Sequence, residues 1–223
     1  MPSDYLSTLR PSLAAAIAGA SQDLGRPDTV FLAMDIADRF IAARRANPPP
    51  ADRLGLLGGT ALMIAAKYEG HREDLDLGEL ANSVAAHYDQ SYDRSAIVNA
   101  ERWVLSVIDY DLSWPGPLPF LERIIAKNES KAVVRFSSRD LLRRAVACQE
   151  FALKLPSMLA AVCYRLAQQD LTRQEWPARL SRSKTETHVR SSGYREEDLH
   201  PMLAPVQARL TSGVAYTVIM DTE

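Results

Sequence analysis

Three charged residues, Asp38, Lys67 and Glu101, lie inside stretches that are otherwise apolar. Asp38 is one helical turn from Met34 and Ile41, so its carboxylate would face the interior, where a charge needs a cation. Lys67 ends an uncharged run and suits the negative end of a helix dipole. Residues of these types form ion pairs or bind polar groups of another molecule. On the residues alone, three unrelated positions at helix edges are the simpler explanation.

Signatures of catalysis and of cofactor binding are missing from the sequence. It contains no glycine-rich phosphate loop, no Cys-x-x-Cys, no histidine pair on one helix turn and no nucleophile elbow. The histidines, at positions 71, 87, 188 and 200, lack the spacings of a zinc site. Acidic residues cluster at 73–79 without the pattern of a calcium loop. We therefore expect no catalytic residue, no metal and no cofactor.

The charge balance argues against two classes of partner. The 223 residues carry 26 basic and 28 acidic side chains, a net charge of -2. Proteins that bind nucleic acid or an anionic membrane surface usually carry a clustered excess of Lys and Arg. We therefore expect neither a nucleic-acid partner nor a membrane partner.

The cysteines and the hydropathy pattern indicate an intracellular protein. Cys148 and Cys163 lie in apolar, alanine-rich stretches, where a free cysteine is typically a small buried hydrophobe. Such cysteines fit a reducing compartment. The first residues show no basic region followed by an apolar run, and nowhere does an apolar run reach about 18 residues. We expect neither a signal peptide nor a membrane span.

Apolar residues recur every three or four positions in almost every segment, which predicts an all-α protein. The run from Leu56 to Ala66 carries no charge and predicts a buried central helix, as does the run 156–167 in the second half. Between them, the segment 114–119 contains three prolines and cannot continue a helix. We therefore predict two five-helix domains in tandem, 1–113 and 114–223.

The helix boundaries follow from the same periodicity and from proline, glycine and capping residues. The predicted helices are 6–17, 30–46, 51–69, 77–86, 91 or 93–108, 120–127, 139–154, 156–170, 175–182 and 196–210. In the helix that ends at 108, Trp103 is predicted to be buried with its apolar neighbours.

Several segments, taken together, closely resemble the cyclin box. They are Leu32-Ala33-Met34-Asp35-Ile36-Ala37-Asp38-Arg39-Phe40-Ile41, Ala65-Ala66-Lys67-Tyr68-Glu69, Ala100-Glu101-Arg102-Trp103-Val104-Leu105, and Tyr110-Asp111-Leu112 followed by Pro117-Leu118-Pro119-Phe120-Leu121. In the second half, Leu155-Pro156-Ser157, Trp176-Pro177, Gly193-Tyr194 and Leu199-His200-Pro201 resemble the C-terminal box of A- and B-type cyclins. The resemblance covers about residues 6–210, in the order and approximate spacing of the family.

The resemblance implies a regulatory subunit rather than an enzyme. Cyclins bind a cyclin-dependent protein kinase and push its C-helix inward, which completes the Lys–Glu ion pair that phosphoryl transfer requires. The implied kinase-binding residues are Lys67 and Glu101, which match charges that bind main-chain groups beside the kinase C-helix, and around them Tyr68, Met63, Tyr110 and Leu112. Control of cell-cycle progression, in the nucleus or the cytoplasm, follows from the same resemblance.

Two features of the first helix also come from the resemblance. Asp38 matches a family carboxylate that pairs with an arginine of the first helix, and Arg10 matches that arginine, which implies a buried structural pair. The family docks kinase substrates and inhibitors in a groove that begins Met-Arg-Ala-Ile-Leu, where this chain has Leu9-Arg10-Pro11-Ser12-Leu13. We therefore expect a diverged docking groove that contains Leu9 and Leu13.

Two other classes of protein are weaker alternatives. A transcription-factor-IIB-like module shares the cyclin fold and binds promoter DNA or the transcription machinery, but phosphate binding would need clustered Lys and Arg. An all-α enzyme such as a prenyl-transferring synthase would need paired aspartate motifs, which the sequence lacks.

Overall fold

The computed structural model describes residues 5–70, 76–128, 130–175 and 192–211. Over these ranges the chain is helical and has no β-strand, as the periodicity predicts. After a π-helical turn, Tyr5–Leu9, the helices are α1 (Arg10–Asp23), α2 (Thr29–Ala43), α3 (Leu54–Tyr68), α4 (Leu77–Ala86), α5 (Arg94–Val107), α6 (Leu118–Lys127), α7 (Ala132–Ala145), α8 (Gln149–Leu153), α9 (Pro156–Glu175) and α10 (Glu196–Thr211). Outside the described residues lie positions 176–182 of the predicted helix 175–182, the matches at 176–177, and His71 and His188.

In the first half, α3 is the central helix. Its residues up to Ala66 carry no charge, and almost all of them are buried against α1, α2, α4 and α5. It approaches α4 closely at Gly59, where a Cβ atom would overlap the carbonyl oxygen of Ala81. The last turn of α3 leaves this packed environment and brings Lys67 to the surface.

Two aspartates determine where the helices beside α3 begin. Asp76 caps α4, since its Oδ1 accepts a hydrogen bond from the Gly78 N–H at 2.8 Å. Asp93 caps α5 in the same way, accepting from the Ala96 N–H at 2.7 Å. This bond above all, with that from the Ser95 hydroxyl, lowers the pKa of Asp93.

In the second half, α6, α7 and α10 pack against α9. The prediction of one helix over 139–154 is wrong, because α7 ends at Ala145 and α8 begins at Gln149. In the break between them, the carbonyl oxygens of Val146 and Cys148 accept hydrogen bonds from the distant Arg10. A tertiary contact thus occupies carbonyl groups that a continuous helix would use itself.

The prediction that Trp103 is buried is also wrong. Its side chain is 46% exposed, and α5 buries only Ile97, Ala100 and Val104. The indole ring lies edge-on against Phe40, with the ring centroids 4.9 Å apart. A wide apolar stripe in the sequence therefore corresponds to a narrower buried face in the fold.

One hydrophobic core runs through both halves of the described chain. At the junction, the ring of Phe151 on α8 lies against Phe31 on α2 and against Trp114, with centroid distances of 6.1 Å to each. The two halves therefore share buried surface. The division between residues 113 and 114 stays a prediction.

Candidate functional site

Lys67 and Glu101 meet at the end of α3. Lys67 Nζ donates a hydrogen bond to Glu101 Oε1 at 2.6 Å, although the two residues are 34 positions apart in the chain. Their side chains are 27% and 19% exposed. The pair is therefore partly desolvated but still open to a partner from one side.

The end of α3 is anchored next to this pair. Glu69, the residue that follows α3, accepts a hydrogen bond from the Thr29 hydroxyl at 2.6 Å. Thr29 is buried at the start of α2. This contact fixes the last turn of α3, and with it the position of Lys67.

An open groove of about 650 Å³ extends from the pair between α3, α4 and α5. Its apolar lining comes from Met63, Ile97 and Val98. Its polar lining comes from Lys67, Asp76, Glu79, Asn82, Tyr92, Arg94 and Glu101. A groove with an apolar floor and charged groups at its edge is typical of a surface that receives a side chain or a helix of another molecule.

Asn82, Tyr92 and Arg94 were not singled out by the sequence analysis, which considered Asp76 only as part of the acidic cluster at 73–79. Tyr92 and Arg94 carried a usable signal. They flank Asp93, which is a helix-capping residue type, and the residues on either side of an N-cap lie at the start of the helix. Asn82 carried none, since a polar residue on the open face of a helix is ordinary.

The structure places the other expected kinase-binding residues in different environments. Tyr68 follows Lys67 and is 57% exposed, whereas Met63, one turn earlier, is buried at the floor of the groove. Leu112 is partly buried against the main core. Met63 therefore shapes the groove, and Tyr68 offers apolar surface.

Tyr110 is 67% exposed in the turn that follows α5. Asp109 and Tyr110 both adopt left-handed backbone conformations, with φ of 55°. Such conformations are costly for residues with a Cβ atom and persist where surrounding contacts impose them. Arg39 supplies one such contact, since its Nη1 donates to the carbonyl oxygen of Asp111 at 2.8 Å.

Arg10 and Asp38 form a buried ion pair between α1 and α2. Arg10 is 0% exposed and Asp38 is 4% exposed. Arg10 Nε donates to Asp38 Oδ1 at 2.9 Å, and Arg10 Nη2 donates to Oδ2 at 2.8 Å. Tyr5 adds a third donor, its hydroxyl lying 2.9 Å from Oδ1. Burial, with the Asp38 carboxylate beside it, raises the pKa of Tyr5, so that this hydroxyl keeps its proton.

The same guanidinium group reaches into the second half. Arg10 Nη1 donates to the carbonyl oxygens of Val146 at 2.6 Å and Cys148 at 2.8 Å. The ring of Phe151 lies 5.6 Å from the Arg10 Cζ atom. Tyr5 and these two carbonyl groups were missed by the sequence analysis, because a main-chain acceptor leaves no signal in the residue types.

The expected docking groove on α1 receives little support from the positions of its residues. Leu13 is 0% exposed and lies in the main core, so it offers no surface to a docked peptide. Leu9, in the π-helical turn, is partly buried against the same core.

Two features are absent from the described residues. No group of three His, Cys, Asp or Glu side chains there could hold a metal ion. None of the helices in these ranges has both the length and the apolar character needed to cross a membrane.

Comparison with known proteins gives matches along both halves. Residues 3–113 match the family model of the cyclin N-terminal domain, and residues 115–213 match that of the cyclin C-terminal domain. A solved structure of a viral cyclin from herpesvirus saimiri superposes with a TM-score of 0.70, covering 90% of this chain and 83% of that chain at 12% identity. This likeness shows the shared fold.

Relatives of known type have higher sequence identity. G2/mitotic-specific cyclin-4 of Candida albicans is 33% identical over 175 residues, which are 78% of this chain and 33% of that protein. G2/mitotic-specific cyclin-B of Emericella nidulans is 30% identical over 177 residues, 78% of this chain and 33% of that protein. The chain thus spans about one third of the length of these relatives. With both of its halves matched by cyclin domain models, the chain belongs to the cyclin family.

Proposed function

We propose that this chain is a regulatory subunit that binds and activates a cyclin-dependent protein kinase and thereby controls cell-cycle progression. The observation that carries the proposal is the Lys67–Glu101 pair, joined at 2.6 Å and partly exposed at the edge of an open groove. The likeness to G2/mitotic cyclins supports the same function.

The pair keeps hydrogen-bonding capacity for a partner. Lys67 Nζ has three protons and gives one to Glu101, while Glu101 Oε2 has no hydrogen-bond partner among the described residues. The lysine can therefore donate to a main-chain carbonyl of a partner, while the neighbouring glutamate accepts from a main-chain N–H of the same helix end. Charge-assisted bonds of this kind, desolvated at the centre of an interface, are frequent hot spots.

The apolar surface beside the pair supplies area for the complex. Tyr68 is 57% exposed and Tyr110 is 67% exposed, and exposed tyrosines of this kind are enriched in protein interfaces. In the proposed complex the cyclin holds the kinase C-helix inward. The kinase itself then completes its Lys–Glu ion pair and performs phosphoryl transfer.

The test compares the wild-type chain with the double variant Lys67→Ala, Glu101→Ala. Each is co-purified with a panel of fungal cyclin-dependent kinases, and histone phosphorylation is measured. The double variant is expected to bind at least about thirtyfold more weakly, the equivalent of an interface hot spot of about 2 kcal/mol.

The matched control is the double variant Arg139→Ala, Glu122→Ala. These residues form an ion pair of similar length, 2.7 Å, in the second half of the chain. The control is expected to bind and activate as the wild type does. Full binding and activation by the Lys67, Glu101 variant would show that the proposed site is wrong.

A further inference from the structure

The groove between α3, α4 and α5 has a weakly packed side. α4 and α5 each pack more extensively against α3 than against one another. Met63, Ala81 and Ile97, one residue from each helix, form a small buried cluster that is separate from the main core. Few buried apolar contacts leave the relative position of two elements weakly fixed, so polar contacts between α4 and α5 carry more weight here.

Asn82 on α4 provides such a contact. Its Nδ2 donates to the carbonyl oxygen of Tyr92 at 3.0 Å, and the Tyr92 N–H donates to Asn82 Oδ1 at 2.8 Å. A side-chain amide presents a donor and an acceptor side by side, so Asn82 pairs with Tyr92 as a second peptide group would. An alanine would satisfy neither main-chain group of Tyr92, and an aspartate would satisfy only the N–H.

The side chain of Tyr92 is held from the opposite direction. Its hydroxyl donates to Gln90 Oε1 at 2.7 Å, and Gln90 Nε2 donates to the carbonyl oxygen of Asp52 at 2.5 Å, just before α3. Gly55 leaves the room that Gln90 needs, because a Cβ atom there would lie 2.8 Å from Oε1. Tyr92 is therefore fixed to α4 through its main chain and to the start of α3 through its ring.

Fixing Tyr92 also fixes the start of α5. The next residue, Asp93, is the N-cap of that helix. Glu101 follows about two helical turns later on the same helix. Since an α-helix is stiff over two turns, the position of its first residue determines how Glu101 stands relative to Lys67 and how wide the groove is.

We propose that Asn82 is a positioning residue for kinase binding. Its amide holds Tyr92 against α4 and thereby keeps α5 at the separation at which the groove is open and Glu101 meets Lys67. The proposal rests on the proposed function and adds to it a residue that acts through another residue.

The test uses the full chain with two substitutions at this position. Asn82→Ala removes both hydrogen bonds to Tyr92, whereas Asn82→Asp keeps an acceptor for the Tyr92 N–H and loses the donor to its carbonyl. One control is Asn99→Ala, at an exposed asparagine of α5 that has no hydrogen-bond partner within the described ranges. The other is Ile125→Val, which trims a buried side chain in α6, far along the chain from the groove residues, and lowers the melting temperature.

Two readouts are needed, both at a temperature well below the melting transition of every variant. In the free chain, NMR hydrogen exchange at the Tyr92 amide is expected to be at least about tenfold faster in Asn82→Ala and to stay slow in Asn82→Asp. The dissociation constant for a purified yeast cyclin-dependent kinase is expected to rise about tenfold for Asn82→Ala and less for Asn82→Asp. For both controls, the exchange rate at the Tyr92 amide and the dissociation constant for the kinase are expected to stay within about twofold of the wild-type values.

The outcomes separate this proposal from the proposed function. Equal kinase affinity of Asn82→Ala and the wild type overturns the positioning role and leaves the proposed function standing. Weaker binding without faster exchange at Tyr92 means that Asn82 touches the kinase directly, which also overturns it. If Ile125→Val weakens kinase binding as much as Asn82→Ala does, the loss of binding follows from lower overall stability, and the positioning role is overturned. A wild-type chain that binds no kinase removes the proposed function and the positioning role together.

Discussion

Asp35 on α2 is a carboxyl group in an unfavourable environment. Its side chain is 13% exposed, Arg39 Nη1 lies 3.5 Å from its Oδ2, and this oxygen has no hydrogen-bond partner in the described part of the chain. Burial raises the pKa of Asp35 to about 6, and Arg39 opposes that shift only in part. Asp38 and Asp111 add to it by like-charge repulsion.

This environment predicts a pH dependence of stability with a definite sign. The folded pKa of about 6 exceeds the ordinary value of 3.8, so the folded state binds this proton more tightly than the unfolded chain does. The stabilisation is full below about pH 4 and is lost as the pH rises through 6. Asparagine cannot ionise, so Asp35→Asn does not lose this stabilisation. Above pH 6 the free energy of unfolding of the variant is expected to exceed that of the wild type by up to about 3 kcal/mol.

The measurement is the free energy of unfolding in urea for Asp35→Asn and wild type at pH 4, 5, 6 and 7. Only the difference between the two chains is used, because other carboxyl groups titrate in the same range. A difference that stays constant with pH would contradict the assigned burial of this carboxyl group.

At the scale of single residues, part of the candidate site could be predicted from the sequence. Lys67 and Glu101 stood out because a charge in an apolar helix is unusual, and the structure joins them. Asn82 did not stand out, because its partner is the main chain of a residue ten positions away. Contacts to carbonyl and N–H groups are identical for every residue type, so only the fold reveals them.

At the scale of the helices, the packing of α3 against α4 depends on the glycine at position 59, which has no Cβ atom. A Cβ atom at this position would overlap the main chain of Ala81, which cannot rotate away as a flexible side chain could. Gly59→Ala is therefore expected to lower the free energy of unfolding by about 1–3 kcal/mol, although alanine is the better helix former.

Gly19→Ala on α1 is the matched control for this substitution. The nearest atom to a Cβ at Gly19 is His87 Nε2 at 3.8 Å, an ordinary contact. This variant is expected to gain up to about 1 kcal/mol from helix propensity. Urea unfolding of both variants checks the pair of expectations, and a gain at Gly59 would contradict the close approach of the two helices.

Helix periodicity predicted the all-α class and most helix positions, but it failed between α7 and α8. The residues from Ala145 to Cys148 include no glycine or proline, so nothing local marks a helix end there. The break accompanies the hydrogen bonds that Val146 and Cys148 accept from Arg10, which is more than 130 residues away. Local patterns cannot report a contact of that range.

For the whole molecule, two ion-pairing arginines connect the halves in different ways. Arg10 is fully buried and binds Asp38 together with two carbonyl groups of the second half. Arg143 on α7 pairs with Asp28 at 2.8 Å, but these side chains are 33% and 42% exposed. Solvent screens the second pair, whereas removal of Arg10 leaves a buried carboxylate and buried carbonyl groups without their donor.

Arg10→Ala is therefore expected to lower the free energy of unfolding by about 3–5 kcal/mol, and Arg143→Ala by less than about 1 kcal/mol. Arg10→Lys should fall between them, since an ammonium group can replace the charge but not the fork that serves Asp38 and both carbonyl groups.

Melting curves with and without a kinase compare the stabilities of these variants, and the loss at Arg10 should appear in both. Hydrogen exchange should increase more in α8 than in α4, because α8 adjoins an acceptor of Arg10 and α4 does not. An unchanged melting curve for Arg10→Ala would contradict the buried pair, and equal losses at Arg10 and Arg143 would contradict its role in joining the halves.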